Sequence, residues 1–482
     1  MNNRREFLKL LGASTALGST TAASLGAQAA RPSPARPGKS VLSARGEYII
    51  RDAYVLTMDR ELGDIPGGGV HVKNGVIAAV GKDIKAPGAT LIDGHRTVVM
   101  PGLVDTHWHM WTTYLRSMAG DKTDDGYFPV TTRYGKAMDP IDMYRSTRLA
   151  AAEAIYSGLT TVSDNCHNVR SHDHAVEDIR AIQESGLRCR WSYGPYRGMP
   201  AERHIDLADL EGFHRDWDKY SNEGLISLGF MWGGVPLDPS AAGSRETLEA
   251  AKKEFEAARR LRIPMCSHWA SRENTPAGQV EVLAKGNFLG KDVLLIHMLA
   301  ASPAEMKMVA AAGSPISVSP GSELRIGYGL TKACDFMDAG IVVGVSVDSV
   351  PLTGNANFFG ILKLLRNAEN AKAFNEFKLS GRRALEMATL DGARVLGLDN
   401  QIGSLKPGKR ADLIMVRTDH VTMGVFTDPT HMLVEATEEA DIDTVMVDGR
   451  VLKRGGKLTS LVAEQVIADA AASLEAVGKR IT

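Results

Sequence analysis

Residues 293–319, "VLLIHMLAASPAEMKMVAAAGSPISVS", hold one complete strand–helix–strand unit, and their reading decides the fold. The apolar run Val293 to Ile296 is short and bounded, as expected of a strand buried on both faces. Ser302 then stands as an N-cap, Pro303 at the first helical position, Glu305 where it closes a capping box, and Gly313 as the stop. A second apolar run, Pro315 to Ser319, follows at once. Two strands joined through a helix lie parallel, because a parallel return needs a long crossover.

Outward from this unit the grammar repeats. "IVVGVSVD" (Ile341 to Asp348) is a further strand, and from Gly102 to Leu398 short apolar runs alternate with helical stretches. That span of about 300 residues suits a (β/α)₈ TIM barrel, for which about 250 is typical. A doubly wound α/β sheet is the alternative, but no glycine-rich fingerprint follows an early strand. On either side the texture changes to strands and hairpins. "GGGVHVKNGVIAAVG" carries the turn Asn74-Gly75, and "DIDTVMVDGRVLKRGG" the turn Asp448-Gly449. The expected organisation is a β-sandwich assembled from residues 46–100 and 401–458, a barrel over 101–400, and a C-terminal helix over 459–482.

Composition narrows the partners. The chain has 482 residues, 44% of them hydrophobic, and a formal charge of -1, enough for one large domain and a smaller one. Its charges are mixed in sign without a long basic run, which argues against nucleic acid or an anionic membrane and for a small-molecule substrate. The cysteines (Cys166, Cys189, Cys266 and Cys334) are too scattered for a zinc module or a disulfide framework, so buried thiols are expected. The first residues differ: "RREFLK" (Arg4 to Lys9) resembles a twin-arginine export signal, with Ala27-Gln28-Ala29 as its cleavage site. Residues 1–29 are therefore expected to be removed, residues 30–45 to act as a proline-rich linker, and the mature protein to be periplasmic or secreted through the export machinery. No later stretch is apolar enough for stable membrane insertion.

On a barrel, chemistry collects where strands end at their C-terminal side. His107 and His109 follow "GLVD", His268 follows "IPMCS", His297 follows "VLLI", and Asp348 follows "VVGVSV". Each is a polar residue closing an apolar run. Several imidazoles plus a carboxylate, with a position left for water, describe a catalytic divalent metal site.

These motifs resemble the amidohydrolase superfamily, in the branch of cytosine deaminase, S-adenosylhomocysteine deaminase and the chlorotriazine hydrolases. "MPGLVDTHWHM" (Met100 to Met110), "AAEAIYSGLTTVSD" (Ala151 to Asp164), "SVSPGSELRIGYG" (Ser317 to Gly329) and "ALEMATLDGARVLGLDNQIGSLKPGKRADLIMV" (Ala384 to Val416) carry the likeness. The resemblance implies His107, His109, His268 and Asp348 as ligands of zinc, or of iron as in some relatives. It makes His297 a further ligand or a partner of the bound water. Relatives are often dimers or higher, so a homo-oligomer is an open outcome.

Two departures from the family pattern bear on the chemistry. Binuclear relatives bridge their metals with a lysine on the fourth strand, and "LISLGFMWGG" (Leu225 to Gly234) has none, so one ion is expected. Deaminases of the family place a glutamate three residues after the fifth-strand histidine; here that position is Ser271, and Glu273 comes two residues later. A divalent ion lowers the pKa of water from about 15.7 toward about 7, and Asp348 would act as general base. The expected function is hydrolysis of a C–N bond in a small amide, carbamate, urea or cyclic amide. Deamination of a purine, pyrimidine or triazine-like ring is the alternative, and an inactive metal-holding binding protein the third. Trp111, Glu153, Trp269 and Arg325 are candidate substrate contacts, with barrel packing or surface roles as the competing reading. Trp108 belongs to the same aromatic set. His172 and His174 in "SHDH" read as surface residues.

Overall fold

Two sheets organise the chain in a computed structural model that describes residues 42–200, 203–236, 244–276 and 278–481. The twin-arginine stretch and its cleavage site lie outside those residues. The first sheet opens with β1 (Tyr48–Leu56), β2 (Asp64–Lys73), β3 (Val76–Gly81), β4 (Thr90–Asp93) and β5 (Thr97–Pro101). At the β2–β3 turn Asn74 and Gly75 have φ of 52° and 80°, the left-handed pair that a type I′ hairpin requires.

The second sheet is the barrel, formed by β6 (Leu103–Trp108), β7 (Leu159–Cys166), β8 (Arg188–Tyr193), β9 (Ile226–Met231), β10 (Met265–Trp269), β11 (Val293–His297), β12 (Ile316–Val318) and β13 (Val343–Val345). Consecutive strands pair in parallel from β6 to β13. β6, β7, β11, β12 and β13 are buried along their whole length, which is why they read as unbroken apolar runs. The helix Pro303–Ala312 between β11 and β12 starts on the Ser302–Glu305 capping box and stops at Gly313, whose φ is 75°.

The ring closes between the first and last barrel strands at the residues that matter most. The Asp348 N–H donates to the His107 carbonyl at 2.9 Å, and the His109 N–H to the Asp348 carbonyl at 2.7 Å. Beneath them the buried Asp105 carboxylate accepts the N–H groups of His107 and Val347, each at 2.8 Å. One acid thus ties the two edges together just below the paired histidines.

β14 (Leu413–Arg417), β15 (Ile442–Val447), β16 (Arg450–Arg454) and β17 (Lys457–Leu458) return to the first sheet, β14 lying antiparallel to β5. Ile50, Val70 and Val99 from one flank pack with Leu413 and Met446 from the other, so neither flank has a core alone. Arg188, at the start of β8, forms a buried ion pair with Asp412 at 2.7 Å, anchoring the first sheet to the barrel. All four cysteines are free and buried. Among the described residues no helix is long and apolar enough to cross a membrane. The stretch from Asp121 to Thr131 runs into the helix Tyr127–Ala137.

Candidate metal centre

His107 is the penultimate residue of β6, and His109 follows its end, so both rings project from the same strand terminus. The fifth barrel strand, β10, contributes His268 and β11 ends on His297. His107 Nε2 lies 3.2 Å from His268 Nε2 and 3.2 Å from Asp348 Oδ1, while His109 Nε2 is 3.5 Å from the same oxygen. One ligand atom from each of His107, His109 and His268 falls within 4.8 Å of the others. Among the described residues this is the only cluster of three or more such groups.

The second ring nitrogens explain the orientation. His109 Nδ1 donates to the Asn165 carbonyl at 2.9 Å, which leaves its Nε2 lone pair facing the cluster. His297 points the other way round the carboxylate: its Nδ1 meets Glu323 Oε1 at 3.1 Å, and its Nε2 lies 3.9 Å from Asp348 Oδ2. Ser322 donates to that same Oδ2. Oδ1 therefore faces the imidazoles of His107 and His109, and Oδ2 faces His297.

Electrostatics agree with a cation at the centre. Burial, reinforced by neighbouring imidazoles, holds His268 and His109 well below the usual histidine range, and burial lowers His107 as well despite Asp348. Burial would raise Asp348, but the His107 hydrogen bond and the charges of His107 and His297 outweigh it, so the carboxyl is held below its ordinary range. His297 is raised: burial opposes protonation, and the bond to Glu323 and the charge of Asp348 overcome it. Neutral imidazoles with converging Nε2 atoms, beside an ionised carboxylate, form an acceptor-rich set that a divalent ion satisfies. The residues fit such an ion. The fourth strand, β9, supplies no lysine that would bridge a second.

Backbone strain marks the same places. His297 and Asp348 have φ of 71° and 62°, the left-handed region that non-glycine residues seldom occupy. Closure of the barrel on one side and Glu323 on the other hold the two residues there.

The substrate-contact candidates divide. Trp111 is fully buried and donates its indole N–H to His167 Nδ1 at 3.1 Å, so it braces a ring that lies 3.8 Å, centroid to centroid, from His109. Trp269 donates to Ser267 Oγ at 2.8 Å and packs against Trp232, as part of the barrel wall. Trp108 is buried in the main core. Glu153 forms a two-pronged ion pair with Arg116, at 2.9 and 2.7 Å, and accepts the Ala356 N–H, a structural clamp instead of a substrate contact. Arg325 donates to the Ala119 carbonyl at 3.2 Å and so latches one surface loop to another. Glu273 is exposed against the loop after β12: its N–H donates to the Tyr328 carbonyl at 2.8 Å, its side chain lies along Gly329 and accepts the Leu330 N–H at 3.4 Å, and Tyr328 itself packs edge-on against His297 at 5.4 Å. His172 is exposed as expected, but His174 is buried, with Nε2 donating to the Met138 carbonyl at 3.1 Å. It lies in the first turn of the helix His172–Ser185 and ties it to the end of the helix Tyr127–Ala137, where a surface side chain was expected.

Sequence reading missed Glu323, Ser322, His167 and Asp105. The first two stand in the "SELRIG" stretch, whose family likeness was plain but whose chemistry had no local signature.

Comparison with known proteins places the chain among hydrolases of this architecture. The amidohydrolase family model matches residues 98–452. A 5'-deoxyadenosine deaminase of Methanosarcina acetivorans is 30% identical over 442 residues, covering 89% of this chain and 98% of that protein. A 5-methylthioadenosine/S-adenosylhomocysteine deaminase of Acetivibrio thermocellus is 27% identical, covering 87% and 96%. Among solved structures, atrazine chlorohydrolase from Arthrobacter aurescens, complexed with zinc, superposes with a TM-score of 0.76 at 24% identity, over 89% of this chain and 100% of that one. An adenosine deaminase from Xanthomonas campestris with bound zinc gives 0.75 at 21%, over 90% and 99%. Those two structures bear on the fold.

Proposed function

Because this chain belongs to the amidohydrolase family and is a hydrolase acting on a carbon–nitrogen bond, we propose that it is an aminohydrolase, releasing ammonia from the ring of an adenine-type nucleoside. Its machinery would be one divalent ion, zinc, held by His107, His109, His268 and Asp348. The observation that carries this reading is the division of labour at Asp348, with Oδ1 among the imidazoles of His107 and His109 and Oδ2 turned to His297 and the Ser322 hydroxyl. The ion, when bound, supplies Lewis acidity that acidifies water and polarises the carbon under attack. Asp348, ionised and acceptor-only across the neutral range, takes the proton from the attacking water through Oδ2 and passes it to the leaving nitrogen. His297 shares that side of the carboxylate and orients the water.

The sequence alone put an amide, carbamate, urea or cyclic amide first, because Ser271 stands where an acid protonates the ring. Relatives that span nearly the whole chain and remove amines from adenine nucleosides put the deaminase first instead. The amide reading stays second on one observation: the position three residues after His268 is Ser271, which cannot protonate a ring nitrogen, and Glu273 stands exposed two residues later. An inactive binder is set aside.

The deciding experiment is an ammonia-coupled assay over 5'-deoxyadenosine, 5-methylthioadenosine and adenosine, run beside linear and cyclic amides, with metal content measured on the same preparation. Release from one nucleoside at a kcat/KM of about 10⁴ M⁻¹s⁻¹ or better, with one ion per chain, is expected. Amide turnover without ammonia from any nucleoside would reverse the order of the two readings. Two ions needed for activity, or full occupancy in a His107→Ala/His109→Ala variant, would refute the ligand set.

Export to the periplasm in the folded, metal-loaded state is proposed from "RREFLK". Fractionation of cells carrying Arg4→Lys/Arg5→Lys checks it, and export equal to the parent would refute it.

A further inference from the structure

The geometry points to Glu323 as a positioning residue that locks His297 into the tautomer whose Nε2 faces the reacting water, a role that rests on the hydrolase reading above. Glu323 lies on the short helix Pro320–Arg325 that follows β12, and it is fully buried. Its Oε1 accepts the Ser319 N–H at 2.8 Å, so that oxygen is already committed as an acceptor when His297 Nδ1 approaches it to 3.1 Å. Nδ1 must then be the donor, and the proton of the neutral ring is fixed there. The other nitrogen, Nε2, is left with its lone pair on the side where Asp348 Oδ2 lies, 3.9 Å away.

Three further observations favour positioning over simple packing. A buried carboxylate needs strong partners to be tolerated, and half of what Glu323 has is the imidazole. His297 and the next residue, Met298, have φ of 71° and 60°, so the backbone does not hold the ring direction at low energy by itself. Finally, the neighbouring Ser322 donates to Asp348 Oδ2. Consecutive side chains of one short helix thus hold the two residues that flank the reacting water, one through its ring and one through its carboxylate. Ser271 leaves the fifth strand without an acid, which concentrates the proton-handling geometry on this side of the site.

The test uses the zinc-loaded full-length enzyme labelled with ¹⁵N in its histidines, with His297 assigned by its disappearance in His297→Gln. Multiple-bond ¹⁵N–¹H spectra should show Nδ1 as the protonated nitrogen. Glu323→Gln keeps an accepting oxygen, so it should keep that pattern and hold kcat within about fivefold of the parent. Glu323→Leu should lose the pattern and lower kcat by about 10-fold or more, with KM within about threefold, since it disturbs orientation and not uniform binding. The kinetics use whichever compound of the ammonia and amide panel is turned over. If none is, the substrate reading falls, and the tautomer measured without substrate still decides this one. A parent spectrum with the proton on Nε2, or a folded Glu323→Leu variant with unchanged kcat, overturns the proposal. Should Glu323→Leu fail to fold, the parent and Glu323→Gln spectra decide, and a Glu323→Gln variant that folds but has lost the Nδ1–H pattern also overturns it.

Discussion

Asp105 joins the stability of the barrel to the spacing of its ligands, and replacing it measures both. Its carboxylate is buried between the first and last strands and accepts the N–H groups of His107 and Val347 at 2.8 Å each. Burial pushes its pKa well above the usual range while those two bonds oppose the shift. Asp105→Ala removes both acceptors and leaves two buried backbone donors without partners, at about 1–3 kcal/mol each, or about 2–6 kcal/mol together. Against a total stability of order 5–15 kcal/mol that is a large fraction. Asp105→Asn keeps one accepting oxygen and turns an N–H donor toward the other backbone N–H, so about half the loss is expected. One of the two freed residues is His107 and the other precedes Asp348, so the shared anchor of two proposed ligands is lost with the bonds. Urea unfolding followed by circular dichroism should rank parent, Asn and Ala variants in that order. Divalent metal retained per chain after dialysis should rank the same way. An Ala variant within about 1 kcal/mol of the parent, with full metal, would refute the reasoning; a large stability loss with full metal would refute its second half.

Asp348→Asn should leave the fold intact and lower kcat by about 10²-fold or more, the loss expected for a general base, whereas Ser271→Ala should change kcat little; equal effects would remove Asp348 from its role. Glu254 gives a pH test: burial raises its pKa from 4.5 to about 7, while its carboxylate accepts the Ile205 N–H at 2.8 Å. A carboxyl raised by folding costs nothing below the unfolded value; the cost grows from about pH 4.5 to about pH 7 and is constant above. Glu254→Gln should therefore stabilise the protein at pH 8 by up to about 3 kcal/mol, about 2.5 units at about 1.36 kcal/mol each, and far less at pH 5. A gain of equal size at both pH values, by urea midpoint, would refute that shift.

Much of this arrangement was legible because the physics was local. The candidate ligand residues could be picked out since each closes a largely apolar run, at the strand ends where a barrel collects its chemistry. The helix at Pro303 was bounded by its own caps, and the two hairpins by turns whose residues accept positive φ. Where the reading failed, the deciding partner lay far along the chain. Glu153 looked free to meet substrate until Arg116 took both its oxygens. His174 looked exposed until the Met138 carbonyl covered it. Asp105 passed as the polar end of a strand, because the N–H of Val347, which gives it its task, comes 242 residues later.

The hardest question, which acid serves a ring nitrogen, turns on the path of four residues after His268. Spacing alone left room for Glu273 to swing back over the site. Ala270 sets that path: at φ 46° it bends the chain out of the strand direction, with its N–H held by Gln279 Oε1 at 2.9 Å and its carbonyl by the Ala300 N–H at 2.8 Å. The segment then runs toward the loop after β12, where the Glu273 N–H meets the Tyr328 carbonyl. A left-handed alanine leaves no sequence mark, since nothing in the residue type favours that conformation. The loop after β12 carries Tyr328, whose ring packs edge-on against His297 at 5.4 Å, and beside Asp348 Oδ2 stand His297, with Glu323 behind it, and the Ser322 hydroxyl. If an amine is lost from a ring here, the proposed proton path is that side of the carboxylate, where His297 and Ser322 meet Oδ2.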